Sequence, residues 1–167
     1  MNLTSKSRYA MKIMMDLARP GEGMPVRRKD IVRRQGVPGK YLDQIMVSLR
    51  RGGLVESVRG RDGGYLLAKP AAAISIWDIF HCVESGLYPL RCVDDHDEDP
   101  CEFIGGCNTS DAWKFIFGAM KAPLVGINLA QLSAGFSDEL KMCPAAGLRE
   151  CAPGKAPVMA KVKGADL

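Results

Sequence analysis

The segment VRRKDIVRRQGVPGKYLDQIMVSLRRGGLVESVRGRDGGYLLAK, residues 26–69, decides how this chain folds. Its first part predicts a short helix from about Arg28 to Gln35, and Gly36 ends it because glycine commonly follows the last helical residue. A second helix is predicted after the QGVPGK connection and ends at Gly52. In that helix apolar residues recur at the i, i+3, i+4, i+7 spacing and predict a buried stripe, which comprises Leu42, Ile45, Met46 and Leu49.

A β-hairpin is predicted directly after the second helix. LVESVR is β-branched and alternating, GRDGG is a turn, and YLLAK resumes an apolar strand. Two helices with a short connection predict a helix-turn-helix, whose second helix enters the major groove of DNA, and the hairpin that follows is its wing. Arg59 and Arg61 lie at the wing tip, where a guanidinium on a thin loop can enter the minor groove. The alternative is that these arginines only solubilise an exposed loop.

The N-terminal part of the chain adds a helix and a strong positive charge. Apolar residues at helical spacing predict a helix that Thr4 or Ser5 caps and that Pro20 and Gly21 end. Residues 1–69 carry fifteen Lys or Arg against six acids, whereas residues 70–167 carry eight against thirteen. A basic first half joined to an acidic second half predicts that the first half binds a polyanion, and nucleic acid is the commonest.

Two further helices are predicted beyond the wing. Ser75 and Asp78 form an acidic capping box that opens the first of them, and Gly86 is expected to end it. Asn108 or Thr109 opens the second, and Pro123 is expected to kink it or end it early. One face of this second helix is bulky and could pack on the chain's own core, but a regulator that reads a two-fold operator favours contact with a second copy. The predicted dimerisation residues are Trp113, Ile116, Phe117 and Met120.

Between these helices lies RCVDDHDEDPCEFIGGC, residues 91–107, in which three cysteines and a histidine are interleaved with six carboxylates. The cysteine spacing suits no paired zinc knuckle. Three thiolates on a loop could instead hold one face of an iron–sulfur cluster, since iron in such clusters prefers sulfur ligands. The alternative is a solvated acidic linker whose thiols do nothing.

No apolar run resembles a secretory signal or a membrane span, so the sequence predicts a cytoplasmic protein whose cysteines are thiols or metal ligands. His81 and His96 are the two histidines, and no Ser/His/Asp pattern accompanies them. The sequence therefore gives no support for an enzyme.

Three stretches together carry a family resemblance: MNLTSKSRYA, YLDQIMVSLRRGGLVESVRGRDGGYLLAKP, and the cysteine loop followed by a tryptophan-containing helix. Over residues 1–134 the chain resembles the Rrf-two (Rrf2) family of bacterial winged-helix regulators. The resemblance implies a homodimer that binds an operator in double-stranded DNA and an iron–sulfur cluster whose state controls that binding. It implies Cys92, Cys101 and Cys107 as cluster ligands, Lys40, Tyr41 and Gln44 as major-groove residues, and Arg59 as a minor-groove residue.

Two departures from the family leave the fourth ligand unassigned. Ser110 stands where one branch has a histidine ligand, and Arg8 stands where another branch takes an acidic ligand from the partner subunit. His96 and Asp111 are the two main candidates, and the loop aspartates are the alternative; these are Asp94, Asp95, Asp97 and Asp99. The three-cysteine pattern is similar to the RirA-like branch, which implies a repressor with a 4Fe-4S cluster, or alternatively 2Fe-2S, that responds to iron, nitric oxide or oxygen. From its chemistry alone, Asp43 could accept from a cytosine amino group or repel phosphate.

The expected protein is mainly α-helical with a small β-hairpin wing, and consists of a winged helix-turn-helix domain and a long dimerisation helix. The expected divisions are residues 1–72 (DNA-binding), 73–90 (connecting helix), 91–107 (cysteine loop), 108–134 (dimerisation region) and 135–167 (flexible tail). Two other interpretations remain open. One is a cluster-free regulator that senses oxidants through its thiols or binds a small molecule, and the other is an iron–sulfur electron-transfer protein.

Overall fold

A computed structural model describes residues 3–19, 24–94, 101–103 and 105–135 of the chain. Those residues form six α-helices and one two-stranded antiparallel sheet, which confirms the predicted fold class. The helices are α1 (Ser5–Leu17), α2 (Arg28–Gln35), α3 (Gly39–Arg51), α4 (Ile76–Val83), α5 (Ser110–Gly126) and α6 (Leu129–Ser133), and the strands are β1 (Val55–Val58) and β2 (Gly64–Leu67). Short 3-10 turns lie at Ala71–Ala73 and Arg91–Val93.

The helix ends follow the predicted caps closely. The Thr4 hydroxyl accepts from the backbone N–H of Lys6 and opens α1. Gly36 adopts a φ of 64° after the last residue of α2, in the left-handed region that favours glycine. The capping box of α4 forms in both directions, because Ser75 accepts from the backbone of Asp78 while the Asp78 carboxylate accepts from the backbone of Ser75. Local sequence thus sets where these helices begin and end.

The hydrophobic core lies where α1, α3 and α4 pack against one another. The predicted stripe of α3 is fully buried there, together with Ile13 and Met14 of α1 and Ile79 of α4. Phe117 of α5 and Leu129 of α6 join the same cluster of buried side chains. The core is thus continuous from α1 to α6. The predicted division of residues 1–134 into a DNA-binding part, a connecting helix, a cysteine loop and a dimerisation region remains a prediction.

The wing is anchored near its turn by Val26, two residues before α2. Val26 and Tyr65 exchange backbone hydrogen bonds of 2.9 and 3.0 Å, so the chain before α2 pairs with β2 on its open edge. A Cβ at Gly64 would lie 2.3 Å from the Val26 carbonyl oxygen. Only glycine permits this close approach, and the hairpin is thereby fixed relative to α2.

A buried carboxylate joins α1 to α2. The Asp16 side chain is fully buried, and its two oxygens accept from Nε and Nη2 of Arg34 at distances from 2.8 to 3.1 Å. The Gln35 amide donates to it at 3.1 Å, and Arg19 lies 3.4 Å away. This hydrogen bonding with Asp16 raises the pKa of the Arg34 guanidinium despite its partial burial.

The last helices fold back on the start of α4. The backbone N–H of Ile76 donates to Ile127, and that of Leu129 donates to Ile74. The expectation that Pro123 ends α5 early is wrong, because the helix continues to Gly126. Proline lacks the N–H that would donate to the carbonyl of Ala119, but its fixed φ is compatible with a helix, so α5 continues past it with one backbone hydrogen bond lost. Apart from Gly135, the predicted tail lies outside the described residues.

We expect Asp16→Ala to lower the free energy of unfolding by about 2–3 kcal/mol, because it removes the charged acceptor shared by Arg34 and Gln35. Urea denaturation at fixed protein concentration measures the loss. Asp62→Ala is the matched control, since it breaks the exposed ion pair of Asp62 with Arg27 and should cost less than about 1 kcal/mol. If both variants lost the same free energy of unfolding, the buried position of Asp16 would not explain its contribution.

Candidate functional site

The exposed face of α3 is the centre of the candidate DNA-binding surface. With its apolar stripe buried, the helix presents the opposite side to solvent. At about 100° per residue, Gly39 and Asp43 lie at one edge of that face, Lys40, Gln44 and Val47 in the middle, and Tyr41 at the other edge. Lys40, Gln44 and Val47 are exposed, and Tyr41 is half-buried. Amide, ammonium and apolar groups on one surface can contact base edges, phosphates and thymine methyl groups.

An aromatic pair holds the Tyr41 edge. The ring of Tyr41 meets the ring of Tyr9 from α1 edge-on, with centroids 5.5 Å apart. The exposed Arg8 places its guanidinium 5.1 Å from the centre of the Tyr9 ring. The N-terminus of α1 therefore adds positive charge and the phenol group of Tyr9 beside the recognition helix, where they can contact the DNA backbone.

An ion pair that the sequence did not reveal holds the opposite edge. The guanidinium of Arg28, from α2, donates from Nε and Nη2 to the two carboxylate oxygens of Asp43 at 2.7 and 2.8 Å. These hydrogen bonds lower the pKa of Asp43, since they favour its charged form. The carboxylate expected to accept from a cytosine amino group or repel phosphate is thus already paired with an arginine of the protein. Only the tertiary contact between α2 and α3 shows this.

The wing presents its two arginines as the sequence predicts. Arg59 and Arg61 are exposed, and Gly60 between them has a φ of 125°, which only glycine adopts readily. Arg27, next to Arg28 at the start of α2, forms an ion pair with Asp62 at the wing tip. Two adjacent arginines at the start of α2 therefore form ion pairs with the wing and with the recognition helix.

The described part of the cysteine loop shows partly accessible thiols. Cys92 lies in the turn Arg91–Val93, which packs against α5, and Cys92, Cys101 and Cys107 are all half-buried. Within the described residues, no three His, Cys, Asp or Glu side chains converge closely enough to hold a metal ion. Three thiols are nevertheless the donors that iron–sulfur clusters prefer, so the donor chemistry fits such a group.

Cys107 lies shortly before α5, beside Thr109. Its thiol lies 3.3 Å from the hydroxyl of Thr109. Hydrogen bonds from the Thr109 side chain and backbone lower the pKa of Cys107. Cys82, outside the loop, differs: burial raises its pKa, and its sulfur fills space beside Gly52, where an added Cβ would lie 2.0 Å away. Cys82 is therefore a packing residue.

The two main candidates for a fourth ligand are not placed at a metal site. His96 lies outside the described residues. The Asp111 carboxylate is almost fully exposed at the start of α5 and lies 4.0 Å from the Lys114 ammonium group. Asp111 thus remains available near Cys107, but no described contact assigns it as a ligand.

Glu84, at the end of α4, connects this helix to the start of α1. Its carboxylate accepts from the backbone N–H and hydroxyl of Thr4 at 2.9 and 2.8 Å, and from the same groups of Ser7. Burial disfavours the charge, but these four hydrogen bonds outweigh it and lower the pKa of Glu84. The negative charge also lies at the positive end of α1. Sequence reasoning missed this residue because its partners are about 80 positions away.

The four residues predicted on one face of α5 divide between two environments. Phe117 is buried and packs on Trp77 and Tyr88, with ring centroids 5.9 and 5.3 Å away. Lys121, one turn later, places its ammonium group 4.7 Å from the Trp77 ring centre. The other three side chains are 40–45% exposed and form an apolar stripe beside Phe117; they are Trp113, Ile116 and Met120.

None of the helices among the described residues is long and apolar enough to cross a lipid bilayer. The sequence pattern of the family described as Rrf2, iron-dependent transcriptional regulator, matches residues 3–135. The chain belongs to the Rrf2 family. It is a DNA-binding transcriptional regulator and not an enzyme.

Individual Rrf2 proteins resemble the chain over most of its length. The HTH-type transcriptional regulator IscR of Yersinia pseudotuberculosis is 39% identical over 132 residues, which are 79% of each protein. The structure of IscR from T. potens superposes with a TM-score of 0.63 at 30% identity and covers 83% of this chain and 90% of its own. CymR, the global cysteine regulator of B. subtilis, gives 0.63 at 31% identity and covers 83% and 99%.

We expect Glu84→Gln to lower the free energy of unfolding by about 1 kcal/mol at neutral pH. All four hydrogen bonds go to one oxygen of Glu84, and a neutral amide oxygen accepts them more weakly than a carboxylate does. Since folding lowers the pKa of Glu84, its contribution is present above the ordinary carboxyl pKa and lost as pH falls through the lowered value. Urea denaturation at several pH values measures this. Wild type and variant should converge in acid; a difference independent of pH would contradict the assignment. Glu56→Gln, an exposed control, should leave stability at neutral pH unchanged.

Proposed function

We propose that this Rrf2 protein is a homodimeric, cytoplasmic repressor whose affinity for its operator is controlled by an iron–sulfur cluster. Cys92, Cys101 and Cys107 would hold the cluster, and the exposed face of α3 and the wing would hold the DNA. The observation that carries the proposal is the pairing of a basic winged-helix surface with three half-buried thiols on one downstream loop. The three-cysteine pattern favours a 4Fe-4S cluster with an accessible iron, and 2Fe-2S is the alternative.

A bound cluster would supply labile, redox-active iron that iron shortage, nitric oxide or oxygen can remove or change. The chain's own residues would convert occupancy of the loop into a change at the DNA surface. Ordering Cys92 and Cys107 would fix the turn Arg91–Val93 against the start of α5, and α5 packs on α4 through Phe117 and Trp77.

Glu84 continues this route from α4 to the DNA-binding surface. It holds Ser7 at the N-terminus of α1, and the neighbouring Tyr9 contacts Tyr41 on α3. Every step from the cysteine loop to α3 is thus a packed or hydrogen-bonded contact within one protomer. Coupling of this kind typically amounts to ~1–3 kcal/mol, or a five- to 150-fold change in affinity.

Replacing Cys101 by Ala tests the cluster. We expect the anaerobically purified full-length variant to lose the visible absorbance, the iron and the acid-labile sulfide of the wild type. Its affinity for an operator selected from random duplexes should differ from that of cluster-loaded wild type by five- to 150-fold. Cys82→Ala is the matched control and should keep the cluster, because Cys82 packs on Gly52 and lies outside the loop. A complete cluster in the Cys101 variant would contradict the ligand set.

The exposed stripe of α5 supports the dimer. Trp113, Ile116 and Met120 recur at spacings of three and four, so they share one side of the helix and remain uncovered in the protomer. Contiguous exposed apolar groups of this size mark interaction surfaces. A second copy of the chain offers an equivalent stripe, and a two-fold dimer suits a palindromic operator.

We expect Ile116→Glu to raise the dimer dissociation constant by about 30-fold or more, because a carboxylate would enter an apolar interface. Sedimentation velocity over a range of protein concentrations measures this. Val125→Glu is the matched control: Val125 is similarly exposed but lies nine residues later, about half a turn away around the helix. If the dissociation constant is unchanged in both variants, α5 does not form the dimer interface.

A cluster-free thiol sensor is the second candidate, favoured by the fact that the described thiols do not converge on one point. The similarity to CymR, a cysteine regulator, supports it as well. This regulator would contain no iron or sulfide under anaerobic conditions, and oxidants would change its DNA affinity. Iron and sulfide analysis of the wild type therefore separates the two candidates, and an electron-transfer protein is excluded if specific operator binding is found.

A further inference from the structure

We propose that Arg28, although it belongs to α2, is a base-reading residue, and that Asp43 is its positioning residue rather than a reader of bases. The target chemistry is the major-groove edge of a guanine, whose O6 and N7 accept two parallel hydrogen bonds. This inference rests on the DNA-binding part of the proposed function and is independent of the cluster.

Gly39 allows Arg28 to reach the recognition helix. A Cβ on Gly39 would lie 2.7 Å from Nη2 of Arg28 and 3.4 Å from its Cζ. The guanidinium therefore crosses directly over the first turn of α3, in space that any other side chain would occupy. From there it reaches Asp43, one turn further along the same side of the helix.

The pairing with Asp43 leaves the correct donors free. A guanidinium carries five N–H groups in a planar fork. Asp43 occupies Nε and one hydrogen of Nη2. The Nη1 group and the second Nη2 hydrogen remain, and they form the end-on pair of donors that matches guanine O6 and N7. Each oxygen of Asp43 accepts one of these bonds, so the carboxylate is oriented toward Arg28 and its charge is compensated there before any base approaches.

The position of the guanidinium suits base contact. Gly39 and Asp43 adjoin the stripe of Lys40 and Gln44 on the exposed side of α3, so Arg28 extends the surface that faces the groove. The side chains of Arg28 and Asp43 are each about half exposed, at 49% and 50%. An ion pair with this exposure contributes little to stability, and its main effect is on orientation. It restricts the flexible arginine before DNA arrives, which reduces the entropy lost on binding.

The test uses the full-length chain, purified anaerobically. For the wild type and each variant, the preferred DNA sequence is first selected from a pool of random duplexes. Affinities are then measured by fluorescence anisotropy on the wild-type operator and on duplexes with single base changes. At each guanine of the operator, 7-deazaguanine replaces guanine to remove N7 alone. The variants are Arg28→Ala, Arg28→Lys, Asp43→Ala, their double Ala combination and Gly39→Ala, each checked for folding by circular dichroism.

We expect Arg28→Ala to reduce the preference for one guanine in each half-site by roughly five- to 150-fold. Asp43→Ala should weaken preference at the same guanine, and the double variant should lose little more than Arg28→Ala. Arg28→Lys keeps the charge but lacks the fork, so it should lose the 7-deazaguanine effect. Gly39→Ala retains both charged residues and should still reduce that preference, because its methyl group displaces the guanidinium.

Two matched controls define specificity. Arg33→Ala removes an arginine of the same helix that pairs with Asp30 at 3.3 Å, and it should leave all base preferences unchanged. Gln44→Ala should relax preference at a different position. The inference is overturned if Arg28→Ala weakens all sequences equally and reduces the salt dependence, which would indicate a phosphate contact. It is also overturned if Asp43→Ala alters a different base. Failure of the wild type to select any sequence would instead refute specific DNA binding, and with it the proposed function.

Discussion

The burial of one side of α3 against α1 and α4 is the constraint on which the rest of the structure depends. Leu42, Ile45, Met46 and Leu49 are almost inaccessible to solvent, so the helix cannot rotate without exposing them. Their burial leaves the opposite side, with Lys40 and Gln44, as the surface that a groove can meet. A hydrophobic contact thereby determines which polar groups are available to DNA, although it touches none of them.

The arginines of α2 then set the geometry around this helix. Arg34 engages the buried Asp16 of α1, Arg28 crosses α3, and Arg27 reaches the wing tip. The first contact is buried and bears on stability, whereas the other two are exposed and bear mainly on orientation. A short and very polar helix, which contributes one fully buried residue to the core, thus aligns three elements. Its positive charges thus form ion pairs that orient neighbouring elements, and they also attract a polyanion.

The region after the wing shares this core instead of forming a separate body. Phe117 packs on Trp77, Glu84 caps α1, and the backbone of Ile127 pairs with the start of α4. A change in the cysteine loop would therefore act on groups already in contact with the DNA-binding part. In contrast, Trp113, Ile116 and Met120 make no comparable contribution to the core, and the proposed contact with a second copy is based on their exposure.

The sequence by itself determined the local elements: the bounds of α2, the buried stripe of α3, the capping box at Ser75 and the exposed wing arginines. These follow from periodicity, caps and glycine positions, which act over a few residues. Tertiary structure alone decided that Asp43 faces Arg28, that Glu84 holds Ser7, and that Phe117 is buried while Ile116 is exposed. Such pairs are distant in the chain or neighbours on one helix, and their partners are chosen by how elements pack, which no short-range pattern encodes.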